Sequence, residues 1–138
     1  MFNWRIDVPY RACQSMLDDG CKVTNMRIES VKIGTIGHYG NCVCLDMTAS
    51  SGSSFVSVLG GWAITDSIGF VIQVLFDLFG IIDDDFVSLD KLEKEPLRVV
   101  YKDNRAVGFG HFCDDNKFVY IQELLDVIKE KTDVGREK

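Results

Sequence analysis

The fold is decided by the stretch GGWAITDSIGFVIQVLFDLFGII, residues 60–82. Residues 66–79 have the pattern of a helix, because Thr65 or Asp66 can cap its first free N–H groups and Gly80 suits a left-handed stop. The few non-apolar positions recur four residues apart and form one narrow stripe, at Gly69, Gln73 and Asp77. A helix that is apolar on the rest of its circumference must be covered on several sides. This stretch is therefore predicted to form a central buried helix.

The length and composition of the chain are those of a single soluble domain. Its 138 residues are 46% hydrophobic and 26% charged, as in ordinary globular proteins. A helix over 66–79 reaches only about 21 Å, short of the ~30 Å core of a membrane. The N-terminus has no basic segment followed by an apolar one, so no secretory signal is predicted. The five cysteines have no scaffold spacing, which suits a reducing cytosol.

The net charge of −6 is concentrated in one part of the chain. Acidic and basic side chains balance in residues 1–60 and again in residues 91–138, whereas residues 61–90 contain six acids and no lysine or arginine. This distribution argues against direct binding to a nucleic-acid backbone, which requires a basic face. It is compatible with docking on a basic surface of another protein, although a solvated acidic loop explains it as well.

Local patterns predict the element order α-βββ-α-βββ-α. Residues 41–49 alternate apolar and polar side chains, as a half-buried strand does. Residues 22–33 alternate as well but change phase near Glu29 and Ser30, which indicates a β-bulge. The other predicted elements are helices over 8–18 and 121–131 and strands over 55–59, 97–102, 106–112 and 117–120. We expect an α+β domain with a mainly antiparallel sheet of about six strands in two meanders, packed on the central helix, with short helices at both ends.

The second meander carries two further signals. Asp103 and Asn104 have turn chemistry between two strand patterns, which predicts a hairpin. Gly108 and Gly110 lie two residues apart, so one face of their strand carries no side chain at either position. Something is therefore predicted to pack closely against that face.

The best metal-ligand candidates are His38, Cys42, Cys44, His111 and Cys113. Residues two apart on a strand share a face, so each Cys-x-Cys or His-x-Cys pair could offer two ligands. The spacing is not that of a zinc ribbon or finger, and packed thiols explain it more simply, so no metal or cofactor is predicted. A nucleophilic pair, Cys113 with His111 or Cys42 with His38, lacks an evident third group to orient the histidine.

Several short segments in order resemble small proteins encoded by bacteriophages and prophages. The segments are Gly60-Gly61-Trp62, LFDLFGI at 75–81, LRVVY at 97–101 and VGFGHF at 107–112, with Asp115, Lys117 and Phe118. The similarity spans residues 41–118, and this chain differs by its predicted helix after residue 120. The resemblance implies a non-enzymatic inhibitor of host antiviral defence, of which anti-CRISPR proteins are the best-known kind.

Charge and resemblance together give the leading hypothesis, a protein that binds a host defence protein or nucleoprotein in the cytoplasm of an infected or lysogenic bacterium. No direct contact with nucleic acid or membrane is predicted, and a homo-oligomer is compatible with the sequence. The residues expected to supply the charge are Asp83, Asp84, Asp85, Asp114 and Asp115.

Two alternatives from other classes stay open. The first is a small-molecule sponge that sequesters a nucleotide immune signal, and the residues that would line its pocket are Trp62, Arg98, Arg105 and His111. The second is a metal-dependent or cysteine-dependent enzyme, built on the cysteines and histidines named above.

Overall fold

The computed structural model describes residues 7–36, 42–52, 54–58, 68–80 and 89–136. The helices are α1 (Cys13–Asp18), α2 (Ile68–Leu78) and α3 (Ile121–Arg136), with a short 3-10 helix at Leu89–Leu92. The strands are β1 (Lys22–Ile36), β2 (Cys42–Ser51), β3 (Ser54–Ser57), β4 (Pro96–Lys102), β5 (Arg105–His111) and β6 (Phe118–Tyr120). Among the described helices, none is long and apolar enough to cross a membrane.

The six strands form one antiparallel sheet in the order β3-β2-β1-β4-β5-β6. Each half of the sheet is a meander of three consecutive strands, and the pairing of β1 with β4 joins the two halves. The predicted α+β class and the two meanders are therefore confirmed. The expected bulge is also present, because the register of β1 against β2 shifts between Ile28 and Ser30.

The start of the first helix was predicted wrongly. The sequence pattern placed it at residue 8, whereas α1 begins at Cys13 and Ala12 is extended. The reason is a tertiary contact: the N–H of Arg11 donates to the carbonyl of Phe118 at 2.6 Å, and the N–H of Phe118 donates back at 3.0 Å. Backbone bonding to the outer edge of β6 thus holds the chain around Arg11 out of a helix.

The other elements begin and end within a few residues of their predicted bounds, and two of them are clearly longer. β1 continues to residue 36 and α3 to residue 136, beyond the predicted limits of 33 and 131. The described part of the central helix ends at Leu78, and Gly80 adopts the predicted left-handed conformation with φ +68°. Residues 66–67, the start of the predicted helix, lie outside the described residues.

Two apolar clusters make the core. The larger cluster unites side chains from the sheet, α2 and α3. α2 contributes four fully buried side chains to it, Val71, Val74, Leu75 and Leu78. The smaller cluster consists of Met16, Cys21, Val100 and Phe118. Both clusters include side chains of β4, and neighbouring residues on a strand point to opposite faces. The sheet is therefore buried on both faces at β4.

The predicted close packing at the two glycines of β5 is confirmed. A Cβ added at Gly108 would meet the backbone of Val119, and one added at Gly110 would lie 2.5–2.7 Å from the ring of Phe118. The hairpin before them is confirmed as well, because Asp103 and Asn104 both have positive φ, as a two-residue type I′ turn requires.

Candidate functional site

Arg98 organises the turn between β5 and β6. Its Nε donates to the carbonyl of His111 at 2.8 Å, and its guanidinium carbon lies 4.6 Å from the ring centroid of Phe118. Nη2 lies 2.8 Å from Oδ1 of Asp115, although it has no well-aligned hydrogen bond. The Arg98 side chain is 14% exposed and that of Asp115 is 74% exposed. Arg98 therefore stabilises the turn between β5 and β6, and the carboxylate of Asp115 already balances its charge.

The four residues predicted to line a nucleotide pocket do not all meet. Arg98 and His111 are neighbours across β4 and β5. Arg105 begins β5 at the hairpin end, whereas Arg98 pairs with Gly110 near the other end of that strand. At about 3.4 Å per residue, the backbones of positions 105 and 110 are roughly 17 Å apart. Trp62 lies outside the described residues.

His111 is used as a cap for the same turn. Its Nδ1 accepts the N–H groups of Cys113 at 3.1 Å and Asp114 at 3.0 Å. A ring nitrogen that accepts two N–H groups carries no proton, so the geometry assigns the proton of a neutral ring to Nε2. The thiol of Cys113 lies 3.6 Å from the same Nδ1. Because the lone pair of Nδ1 is already engaged by the backbone, this pair lacks the free base that a cysteine nucleophile needs.

Of the other proposed metal ligands, the structure describes only the side chain of Cys113. The side chains of Cys42 and Cys44, and all of His38, lie outside what the structure describes. Within the described part of the chain, no group of three or more His, Cys, Asp or Glu side chains could hold a metal ion.

Tyr10 connects the end of α2 with the β5–β6 turn. Its hydroxyl donates to Oδ2 of Asp77 at 2.8 Å, and Lys117 places its ammonium 6.0 Å from the centroid of the Tyr10 ring. Burial is the largest cause that raises the pKa of Tyr10 above its ordinary value of 10.0, and the carboxylates of Asp77 and Asp114 raise it further. Both acids therefore lie close to one hydroxyl group. Asp77, Asp114 and Asp115 are called the acidic patch below.

The acids of the patch have structural partners as well as exposed charge. Asp77 and Asp115 are exposed, whereas Asp114 is half-buried and its Oδ1 accepts the N–H of Asn116 at 3.0 Å. The predicted contact residues Asp83, Asp84 and Asp85 lie outside the described residues. The role of Tyr10 could not be predicted from the sequence, because no local pattern signals a partner 67 residues away.

A second polar cluster ties α1 to α3. The guanidinium of Arg11 donates from Nε and Nη2 to the two oxygens of Glu123, each at 2.7 Å, and from Nη1 to Ser15 at 3.1 Å. Beside it, the hydroxyl of Tyr120 donates to Asp19 at 2.7 Å. This two-point pairing of a guanidinium with a carboxylate fixes orientation as well as distance. The cluster holds the N-terminal segment against the start of α3.

The Arg11–Glu123 pair leads to a prediction about pH. Hydrogen bonding from Arg11 is the main cause that lowers the pKa of the Glu123 carboxyl below its ordinary value of 4.5. Such a group stabilises the fold above its unfolded pKa, and the contribution is lost as the pH falls through the folded pKa. We expect Glu123→Gln to lower the melting temperature at neutral pH, because it removes the ion pair with Arg11. The decrease should be only a few degrees, since an exposed ion pair contributes little to stability. The difference from the wild type should shrink as the pH falls below the ordinary carboxyl pKa of 4.5, and it should disappear once the pH is below the lowered pKa of the folded protein.

Thermal unfolding followed by circular dichroism between neutral and acidic pH measures this difference. Glu130→Gln is the matched control, since Glu130 is exposed on the same helix. The control should melt like the wild type at every pH. A Glu123→Gln protein that also melts like the wild type at neutral pH would contradict the prediction.

Comparisons with known proteins do not assign this arrangement of residues to a family. No protein-family model, curated protein or solved structure matches the chain. The resemblance to phage-encoded proteins therefore stays a prediction from sequence, and the geometry of the acidic patch is the structural starting point for a function.

Proposed function

We propose that this protein is a non-enzymatic inhibitor that binds a partner protein through an acidic surface. The observation that carries the proposal is the hydrogen bond between Tyr10 and Asp77 beside Asp114. It joins two acidic stretches that are far apart in the sequence. One stretch is the segment 61–90, with six acids and no basic residue, and the other is the β5–β6 turn.

The charge of this surface is only partly balanced by nearby cations. Arg98 pairs with Asp115, and Lys117 lies over the ring of Tyr10. Asp77 and Asp114 form no ion pair within the described part of the chain. An exposed surface with excess negative charge attracts a basic surface, speeds their association and disfavours anionic partners.

A host defence nucleoprotein is the partner that we propose, in the cytoplasm of a bacterium. Complexes that hold nucleic acid expose basic surfaces, because they must neutralise phosphates. An acidic protein that covers such a surface competes with nucleic acid without having to bind it. The resemblance of residues 41–118 to phage-encoded proteins makes CRISPR effector complexes the first candidates to test.

The test replaces Asp77, Asp114 and Asp115 together by asparagine and measures binding to a panel of purified CRISPR effector ribonucleoproteins. Asparagine keeps the size of each side chain and an oxygen that can accept from Tyr10 or Asn116. We expect association to slow by about tenfold at low salt. Wild-type binding should weaken as salt rises, because exposed charges are screened over about 8 Å at physiological ionic strength.

A control variant in which three other aspartates are changed to asparagine distinguishes the effect of the acidic patch from the effect of the overall net charge. Asp18, Asp103 and Asp126 are exposed and lie outside the acidic patch. This control should associate like the wild type, and a further variant of Asp83, Asp84 and Asp85 measures the contribution of those residues. Equal association rates for the patch variant and the control, or no binding of the wild type to any effector, would show the proposal to be wrong.

A further inference from the structure

A cleft of about 530 Å³ crosses the sheet at the bulge of β1. Its lining includes Asn25, Arg27, Glu29, Lys94 and Phe112. A volume of this size is typical of sites for small molecules. We propose that the cleft binds a nucleoside phosphate, with the phosphate held by Arg27 and Lys94 and the base placed on Phe112. This site is separate from the residues that carry the proposed function.

The two cations of the cleft are available for an anion. Arg27 and Lys94 are exposed, and neither forms an ion pair with any carboxylate of the described residues. Unpaired cations that share one cleft are notable in a chain with a net charge of −6. A phosphate accepts charge-assisted hydrogen bonds from both a guanidinium and an ammonium group.

The backbone holds Lys94 in place over the cleft. Lys94 has a φ of +70°, a conformation that side-chain-bearing residues rarely adopt. Its N–H donates to the carbonyl of Ile28 at 2.6 Å, and its carbonyl accepts from Nη1 of Arg27 at 3.1 Å. The neighbouring carbonyl of Glu95 accepts the N–H of Ile28 at 2.9 Å. A strained residue fixed by its surroundings in this way is typical of binding sites.

Phe112 supplies the apolar side of the cleft. Its side chain is 51% exposed, and its ring stacks on that of His111 with 4.8 Å between centroids. Arg27 pairs with Pro96, and Leu97 pairs with His111, so the chain at Phe112 continues beside Pro96. Two strand spacings therefore separate the backbones of Phe112 and Arg27, on the order of 10 Å. A base on one side and a phosphate on the other can span such a distance.

The cleft also contains one acid, Glu29, and one amide, Asn25. The carboxylate of Glu29 accepts a hydrogen bond from the hydroxyl of Ser50. Ser50 is a buried residue of β2. Asn25 adds an exposed amide that can donate to and accept from the edge of a base. Stacking on an aromatic ring tolerates every base, whereas an amide can discriminate among them.

Calorimetric titration of the full chain with AMP, adenosine and inorganic phosphate tests the proposal. We expect saturable binding of AMP, and weaker binding of adenosine or phosphate alone. Lys94→Gln is the decisive variant, because it removes the ammonium and keeps the backbone bonds of residue 94. It should weaken AMP binding at least tenfold, and Arg27→Gln should do the same. Phe112→Leu should weaken binding of AMP but not of phosphate.

Lys102→Gln is the matched control, since Lys102 is an exposed cation at the hairpin end of β4. It should bind AMP like the wild type, and the melting temperatures of all variants show that they are folded. The proposal is overturned by AMP binding that Lys94→Gln leaves unchanged, by the absence of saturable AMP binding, or by tighter binding of an acidic peptide than of AMP.

Discussion

Replacing Gly108 by alanine is expected to destabilise the protein by about 3 kcal/mol or more. An added Cβ would lie 3.3 Å from the carbonyl carbon of Val119 and 3.4 Å from Cα of Tyr120, and closer still to the carbonyl oxygen of Val119. All three atoms belong to the backbone of β6, so no side chain can turn away to make room. The pairing of β5 with β6 must open instead, and the melting temperature should fall by about 10 °C.

Gly34→Ala is the control for this experiment. Gly34 also lies in a strand, β1, but an added Cβ there would meet nothing within 4 Å. Alanine restricts the unfolded chain more than glycine does, so this variant should be as stable as the wild type or slightly more stable. Thermal and urea unfolding of both variants measure the comparison. Equal stability of the two variants would mean that β5 and β6 are not as close as the structure has them.

Replacing Leu75 by aspartate is expected to leave the protein unfolded at room temperature. Leu75 is fully buried in α2 and belongs to the larger apolar cluster. The change removes an apolar side chain, which alone costs about 2–5 kcal/mol, and adds a buried charge without a partner. A domain is typically stable by only about 5–15 kcal/mol, so the combined cost is comparable with the whole stability.

Gln73→Asp is the control that distinguishes the effect of burying a charge from the effect of adding a charge to the helix. Gln73 lies on the same helix and is half-buried, so this variant introduces the same charge where water can reach it. Circular dichroism should show a folded Gln73→Asp protein and an unfolded Leu75→Asp protein, with Leu75→Ala folded but less stable. A Leu75→Asp protein that melts like Gln73→Asp would show that the interior side of α2 is not buried.

Most of the fold could be predicted because its signals are local. Strand alternation, the phase change at Glu29, the Asp103-Asn104 turn and the two glycines of β5 each depend on residues within one element or one hairpin. The stop at Gly80 follows from the conformational freedom of glycine in the same way. Such features need no knowledge of where distant segments pack.

The errors and omissions come from contacts between distant residues. The helical pattern over 8–18 contained no sign that Arg11 would bond to Phe118, so tertiary pairing overrode the local preference. The acidic turn residues were found from charge, whereas their link to α2 through Tyr10 was not. The cleft was missed for the same reason, because Arg27, Lys94 and Phe112 come from three separate parts of the chain.

The backbone hydrogen bonds between Arg11 and Phe118 constrain the order in which segments of the chain can reach their final contacts during synthesis. A ribosome makes Arg11 well before its bonding partners on β6 and α3, because Glu123 follows Arg11 by 112 positions. The meander of β1, β2 and β3 is available for pairing as soon as those strands leave the ribosome. The segment around Arg11 therefore reaches its final contacts only after β6 and the start of α3 have been made.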